Sequence, residues 1–459
     1  MLSLQLVLGS AGLLLIIGLM MVFSASSIPA ALGHRSVWHT GIQQALWACV
    51  GIAAAGVALL TPAAVLRRWS GRSLLLIAFL LLVVLVPGVG VKVGGARKWF
   101  NLGVGYFQPS EFAKLAFGLW GAHLIVLRQR FLTTRTLLLP IVPVFAGLAA
   151  LIVVEPDFGS AVSFLVVLVG LLWAGGAPRR VWFWLIGVSA VAAFALISLA
   201  PYRAARFTSF LNPFADPRGN GFQEIQGMYA LASGGVWGLG IGNSHEKWGL
   251  LPNAQSDYIF AIIGEELGFL GCLVVVVLYA VLAYAGCRIA LRSNDRFARV
   301  VSMVLTVSLV VQAVMNMGYV VGMLPVTGVT LPLVSQGGTS LVLALFEVGL
   351  LARFACAEPD AAALLQQRFR SPLMRRLLAA SGDGRASEGD TRRRSWPPGG
   401  GSRPRNRKAS DGQPVRSGGR DGADDRRVRA AAVNTRTRVG ATASRRAPTS
   451  PSNNRRPRF

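Results

Sequence analysis

Asp257 closes a polar segment that begins at Lys247, and an apolar helix carrying Glu265 and Glu266 follows it directly. A carboxylate at the mouth of a membrane segment, with two more inside, is a costly arrangement that demands a reason. Such an acid can take the proton of an attacking hydroxyl. It can equally serve its own helix. Ser256 is placed to cap the N-terminus, which leaves Asp257 in the first turn, where negative charge suits the helix dipole. Glu265 and Glu266 also admit a structural reading, as members of a buried ion pair for which Lys114 is the obvious base.

Cations that could face an anionic ligand lie in Gly94-Gly-Ala-Arg-Lys-Trp-Phe100, where small residues would let a phosphate approach Arg97 and Lys98. The plainer reading is an interfacial anchor with snorkelling bases. Gln108-Pro-Ser-Glu-Phe-Ala-Lys114 predicts a helix start, with Pro109 near its first position, Glu111 in its first turn and Lys114 at the membrane edge. Glu155-Pro-Asp157-Phe-Gly159 marks a break between two spans, polar backbone that must line a cavity. The turn Pro325-Val-Thr-Gly-Val-Thr-Leu-Pro332 leads into Ser335-Gln-Gly337-Gly338-Thr-Ser340, a small-residue opening to the last helix that could bind an anion. The four histidines do not cluster with carboxylates, and no Walker, Rossmann or zinc spacing occurs, which disfavours an ATP-driven pump or a metallohydrolase.

The elements that must position these residues are membrane spans. The chain is 53% hydrophobic and 14% charged with a mean hydropathy of +0.52, whereas soluble domains carry roughly 25% charged residues. Apolar segments occur at about 4–26, 41–60, 73–88, 111–127, 137–154, 158–176, 181–200, 258–287, 299–323 and 337–355, so an all-α polytopic protein of about ten transmembrane helices is expected. The first lacks a basic leader and has too long an apolar run for a cleaved signal peptide. Arg67, Arg68 and Arg72, then Arg128, Arg130 and Arg135, then Arg179 and Arg180, then Arg288, Arg292, Arg296 and Arg299 fall in alternate links. These links therefore share the cytoplasmic side with both termini. The four cysteines have no ligand or disulfide spacing and read as small core residues.

Two long links fall on the opposite side, at about 88–110 and 201–257. Their length marks them as functional, and Trp99, Phe214, Trp237 and Trp248 are expected to be buried in folded structure. Of the formal charge of +26, +17 lies from residue 361 onward. The chain accordingly divides into a membrane domain at 1–356, a juxtamembrane basic segment at 357–380 and a disordered Arg-rich tail at 381–459. Residues 360–380 suit an amphipathic helix on the membrane surface. The tail suits anionic lipid first, an acidic division protein second and nucleic acid only third, with no specific nucleic-acid site.

These stretches together resemble the SEDS family (shape, elongation, division and sporulation) of polytopic peptidoglycan glycosyltransferases over about residues 5–355. The resemblance is carried by Met21-Val-Phe-Ser-Ala-Ser26, Gly95-Ala-Arg-Lys-Trp99, Gln108-Pro-Ser-Glu111 with Lys114, Pro156-Asp-Phe-Gly159 and Asn212-Pro-Phe-Ala-Asp-Pro217. It continues through Ser244, Lys247, Leu251-Pro252, Asp257, Glu265-Glu-Leu-Gly268 and Leu331-Pro332 to Ser340. The division branch fits best, with the elongation branch as the alternative. Asn253, Ser256, Tyr258, Gln336 and Lys98 depart from the residues usual in the family.

The resemblance implies polymerisation of lipid II at the outer membrane face, by inverting transfer with a polyprenyl pyrophosphate leaving group. Asp257 is then the base. Arg97, Lys98, Lys247, Gln108, Ser110, Lys114, Ser335, Gly337 and Gly338 are candidates for substrate contact, supported by Glu111, Glu265, Glu266 and Asp157. No protein metal site is implied, although a magnesium or manganese ion could accompany the pyrophosphate. The implied partners are a class B penicillin-binding protein and other division proteins, and the implied location is the plasma membrane at the septum. A lipid II flippase is the competing class; it would place its key charges near the bilayer midplane.

Overall fold

A computed structural model describes residues 1–361, apart from 33–35, 94, 95, 102, 104, 132, 199, 200, 220, 249, 250 and 253. The juxtamembrane helix expected over 360–380 and the basic tail at 381–459 therefore lie essentially outside the described residues.

The expected apolar segments all form helices: α1 Leu2–Leu32, α2 His39–Leu60, α3 Ala63–Val84, α4 Pro109–Leu127, α5 Thr134–Val154, α6 Phe158–Ala174 and α7 Arg179–Ser198. Two shorter helices, α8 Pro201–Leu211 and α9 Phe222–Gly234, precede α10 Ile259–Arg292, α11 Arg296–Val320 and α12 Gly338–Cys356. Among the described residues, eight helices are long and apolar enough to cross a membrane. Of the other two expected spans, α6 has only 17 residues, and α3 carries Arg67, Arg68 and Arg72 in its first half.

Burial sorts the helices by role. The most apolar window of α12 is 83% buried and that of α11 67%, whereas that of α7 is 6% buried. The core therefore forms around α11 and α12, with α7 at the periphery. Small residues bring the central helices into contact. A Cβ at Gly349 of α12 would lie 2.4 Å from the Ala55 carbonyl oxygen of α2, so that crossing requires glycine. Of the cysteines expected in the core only Cys356 is buried, while Cys49 is exposed on α2.

One end of the bundle gathers the arginine-bearing turns. Arg67 binds both oxygens of Asp295 at 2.5 and 2.6 Å and stacks over Phe297. Arg296 donates to Gln129 at 2.9 Å, and Arg292 pairs with Glu358 and Asp360. These turns share one end, as their charge pattern predicts.

The opposite end departs from the all-α expectation. Residues 88–110 hold a small antiparallel sheet in the order β1-β2-β3: β1 Val91–Val93, β2 Ala96–Asn101 and β3 Tyr106–Phe107. Its register sets Lys92 opposite Arg97 and Phe100 opposite Phe107. The long link at 201–257 is folded, as expected, but its aromatics are not its core. Phe214 is 60% exposed, Trp237 82% and Trp248 63%, and Trp99 is only half-buried. Buried small residues and Ile225 of α9, with Leu251 and Ala254, anchor the link instead.

Candidate active site

Asp257 lies just ahead of α10, not in its first turn. The helix begins at Ile259 with Tyr258 at the cap position, so Ser256 and Asp257 both stand ahead of the positions expected of them. The backbone around Asp257 is held from three directions. Asn316 and Tyr319, near the end of α11, donate to the Asp257 carbonyl at 3.0 and 2.9 Å. The same two groups donate to the Val329 carbonyl at 2.7 and 2.8 Å, so they staple residues 257 and 329 together. The Gln336 amide donates to the Gln255 carbonyl at 2.9 Å. Tyr258 is fully buried, its ring 5.7 Å from that of Tyr319 and packed where any Cβ on Gly227 would clash. The Asp257 side chain, by contrast, is half-buried, and its carboxylate faces Gly328, where an added Cβ would sit 3.7 Å from Oδ2.

A second cluster stands on the other side of the 325–332 turn. The Lys98 ammonium on β2 lies 3.2 Å from Asp157 Oδ1 and over the Trp99 ring. Asp157 caps α6 through the Ser160 amide and accepts from Ser160 Oγ at 2.5 Å and Gln108 Nε2 at 2.7 Å. The Gln108 amide also reaches Ser110 Oγ at 2.9 Å. Beside them Glu155 is fully buried, with neither carboxylate oxygen hydrogen-bonded. Burial, and then the Asp157 charge, push its carboxyl up to about 9 against the opposing pull of Lys98. The backbone of Gly159 packs on the Thr327 carbonyl, next to the Gly328 that meets Asp257. The two clusters therefore share one wall. Arg97 turns away from them and donates to the Leu85 carbonyl at 3.2 Å.

Lys114 is buried, paired with Glu111 at 2.8 Å and donating to Gln312 Oε1 at 2.8 Å. Gln312 in turn reaches the Thr330 carbonyl at 3.2 Å. These residues line a small polar cavity together with Ser335 and Glu347. Ser335 Oγ accepts from the Leu331 amide at 2.8 Å. Gln44 of α2 bridges the start of α12, donating to the Ser335 carbonyl and accepting from the Gly337 amide, both at 3.2 Å. Gly338 packs on the Trp47 ring. The opening of α12 is thus filled by protein groups at these atoms.

Lys114 is not the partner of the paired glutamates, because Glu111 and Gln312 already hold its ammonium. Glu266 pairs with Lys247 at 3.1 Å and accepts from Ser24 Oγ at 2.7 and 2.8 Å. Lys247 is 3% exposed and also donates to the Gly242 carbonyl at 2.5 Å. Glu265 accepts from Ser244 Oγ at 2.5 Å and from the His245 amide at 2.6 Å.

Of the candidate residues, the fold brings Asp257, Lys98, Asp157, Gln108 and Ser110 to one end around the 325–332 turn. It gathers Glu111, Lys114 and Ser335 in the cavity behind them. It sets Lys247, Glu265 and Glu266 apart in their own buried cluster. Asn316, Tyr319 and Gln44 were not foreseen from the sequence, while Ser24 and Glu155 lay in stretches that stood out there without a role of their own. Asn316 and Tyr319 carried a usable signal, two polar groups three positions apart near the end of an apolar helix.

The chain matches the family model FtsW–RodA–SpoVE, described as "Cell cycle protein", over residues 4–358. It is 42% identical over 379 residues to the "Probable peptidoglycan glycosyltransferase FtsW" of Mycobacterium tuberculosis, covering 82% of this chain and 72% of the relative. It is 38% identical over 341 residues to the "Stage V sporulation protein E" of Bacillus subtilis, covering 74% of this chain and 93% of that one. Among solved structures it superimposes with a TM-score of 0.62 and 28% identity on a chain from a study of polymerization and crosslinking by a peptidoglycan synthase complex, covering 76% of this chain and 97% of that one. The rod shape determining protein RodA of Thermus thermophilus matches with a TM-score of 0.54 and 26% identity, covering 76% of this chain and 96% of that one.

Proposed function

The chain belongs to the FtsW–RodA–SpoVE family, and from that premise we propose that it is a membrane peptidoglycan glycosyltransferase whose catalytic base is Asp257. The substrate is lipid II, the division branch is favoured over the elongation branch, and the Asp257 end of the bundle faces outward. The arginine-bearing turns then lie at the cytoplasmic face, which suits the positive-inside trend.

The observation that carries the reading is the contrast within one residue. The carbonyl of Asp257 is gripped by Asn316 and Tyr319, while its carboxylate stays half-buried at the end of the bundle. A base must be held still and remain within reach of its substrate. The hydroxyl oxygen of one disaccharide attacks the anomeric carbon of the other as Asp257 takes the hydroxyl proton. The bond to the polyprenyl pyrophosphate breaks, its electrons leaving with the phosphate oxygen, and the anomeric centre inverts. No covalent enzyme intermediate is required.

Lys98 stands across the 325–332 turn and supplies a cation to the departing charge, exchanging Asp157 for pyrophosphate. Arg97 and Lys247 support this step less directly, because their donors are bound to the Leu85 carbonyl and to Glu266. Among the described residues no three His, Cys, Asp or Glu side chains converge as metal ligands. A divalent ion at the pyrophosphate would therefore draw most of its ligands from the phosphates themselves. A class B penicillin-binding protein supplies crosslinking, the septum is the site of action, and the basic tail is drawn to anionic lipid, with an acidic division protein as its second partner.

The test uses purified protein with its transpeptidase partner and lipid II. Wild type makes glycan strands, and Asp257→Ala and Asp257→Asn lose about 100- to 10,000-fold in rate, the range for a removed general base. Undiminished strands from either variant would overturn the assignment. Lipid II translocation without polymer would instead favour a flippase.

A further inference from the structure

Helix α10 is not continuous. Gly268 adopts φ 69° and ψ −168° inside it, which interrupts the helical ladder. Residues 235–240 cross the break and exchange backbone hydrogen bonds with α10 in both directions. The amides of Leu239 and Gly240 donate to the carbonyls of Glu265 and Glu266 at 2.9 and 3.0 Å. The amides of Phe269 and Leu270 donate to the carbonyls of Gly235 and Val236 at 2.9 and 3.3 Å. The contact is so close that only glycine fits at two positions. A Cβ on Gly238 would lie 2.2 Å from the Glu266 carbonyl oxygen, and one on Gly268 would lie 2.4 Å from the Gly238 amide nitrogen.

This clip fixes the depth of the loop. From Phe269 to Arg292, α10 has about 24 residues, roughly 36 Å at 1.5 Å each, which is enough to cross about 30 Å of hydrocarbon unaided. Residues 235–240 are therefore tied to the membrane boundary at the Asp257 end of that span. Their chemistry suits that depth. Residues 227–244 contain no charged side chain. Val236 is 55% exposed, Trp237 82% and Ile241 55%, and Phe269, Leu270 and Leu273 of α10, just beyond the break, are exposed as well. Irregular backbone is tolerated near hydrocarbon only where its polar groups find partners, and the exchange with α10 provides four.

We propose that residues 235–241 form a membrane-inserted ridge, with Val236, Trp237 and Ile241 seated among the lipids of the leaflet at the Asp257 end. The occupant of this surface is lipid. The uncharged run, the exposed tryptophan within it and the hydrogen-bonded attachment to the α10 span all match an interfacial anchor. The ridge also reaches the catalytic region through the chain. Directly after it, Ser244 and His245 bind Glu265, Lys247 binds Glu266, and the segment ends at Asp257. The leaflet thereby sets the height of the base.

Spin-label collision measurements on the full chain test this, in nanodiscs of phosphatidylethanolamine and phosphatidylglycerol. Cys49, Cys272, Cys287 and Cys356 are first replaced by alanine. Labels are then placed singly at Trp237→Cys and Ile241→Cys, with Val276→Cys on the exposed face of α10 as the hydrocarbon reference and Arg218→Cys in the exposed link as the aqueous one. The ridge labels should collide with oxygen in preference to a water-soluble nickel chelate, giving a ratio near that of Val276→Cys and severalfold above that of Arg218→Cys. A ratio at the level of Arg218→Cys would place the ridge in water and overturn the proposal. Low collision rates with both reagents would mean that protein covers it, which overturns the proposal equally. The readout is taken at rest, so it stands apart from whether the chain polymerises glycan.

Discussion

Asp257 and the pair Glu265–Glu266 belong to one stretch of chain, yet the fold treats them in opposite ways. The two glutamates are at most 1% exposed, and every carboxylate oxygen has a partner from Ser24, Lys247, Ser244 or the His245 amide. Asp257 has its carbonyl fixed and its carboxylate left half-buried at the end of the bundle. A fully buried carboxylate is a structural post, since no substrate can approach it. A carboxylate on a pinned backbone with a partly open face is equipped for proton transfer.

Lys247 separates the two acidic sites with the largest expected effect. Lys247→Ala leaves Glu266 buried without its counter-charge and should cost about 3–5 kcal/mol of stability, read from unfolding in detergent. A fully stable Lys247→Ala that fails only in polymerisation would move the glutamate cluster into the catalytic machinery. Lys98→Gln comes next. It should slow polymerisation by about 100-fold, the scale of one lost electrostatic donor, with little loss of stability because Lys98 is already partly exposed. Asn316→Ala removes the bonds to the carbonyls of Asp257 and Val329. It should cost about 1–3 kcal/mol and slow turnover more than it alters apparent substrate affinity.

The smallest effect is a pH dependence at Glu246. Burial first, and then Glu265, push its carboxyl from 4.5 up to about 7. The folded chain therefore holds a proton that the unfolded chain has released, and stability falls as pH rises from about 4.5 through about 7. Glu246→Gln should flatten that slope, seen by comparing unfolding temperatures of the two proteins at about pH 5 and about pH 8.

How much of this was legible in the sequence follows from what each feature depends on. The spans were, because twenty apolar residues report a bilayer directly. The shared end of the arginine turns was also legible, and Arg67 meeting Asp295 gives it a contact. Asp257 stood out as an acid placed before an apolar helix. The sheet at 91–107 was not legible, because its strands are only two to six residues long and are separated by glycine-containing links. The partners of the glutamates were hidden for a different reason. Lys247 reaches Glu266 only because the 235–247 segment folds back along α10, and Ser24 because α1 packs beside it; one glycine with positive φ in an apolar run gives no warning of either. The exposure of Trp237 was misjudged on the same grounds, since a bilayer allows a tryptophan outside the protein core.

The claim that the two acidic sites divide structure from chemistry can be tested in one paired measurement. Rate of glycan polymerisation and unfolding temperature are recorded for wild type, Asp257→Asn and Glu266→Gln in the same preparation. Asp257→Asn should lose at least about 100-fold in rate at an unchanged unfolding temperature, and Glu266→Gln should lower the unfolding temperature while its folded fraction keeps near wild-type turnover. Polymerisation that survives in Asp257→Asn and vanishes in a stable Glu266→Gln would contradict the account.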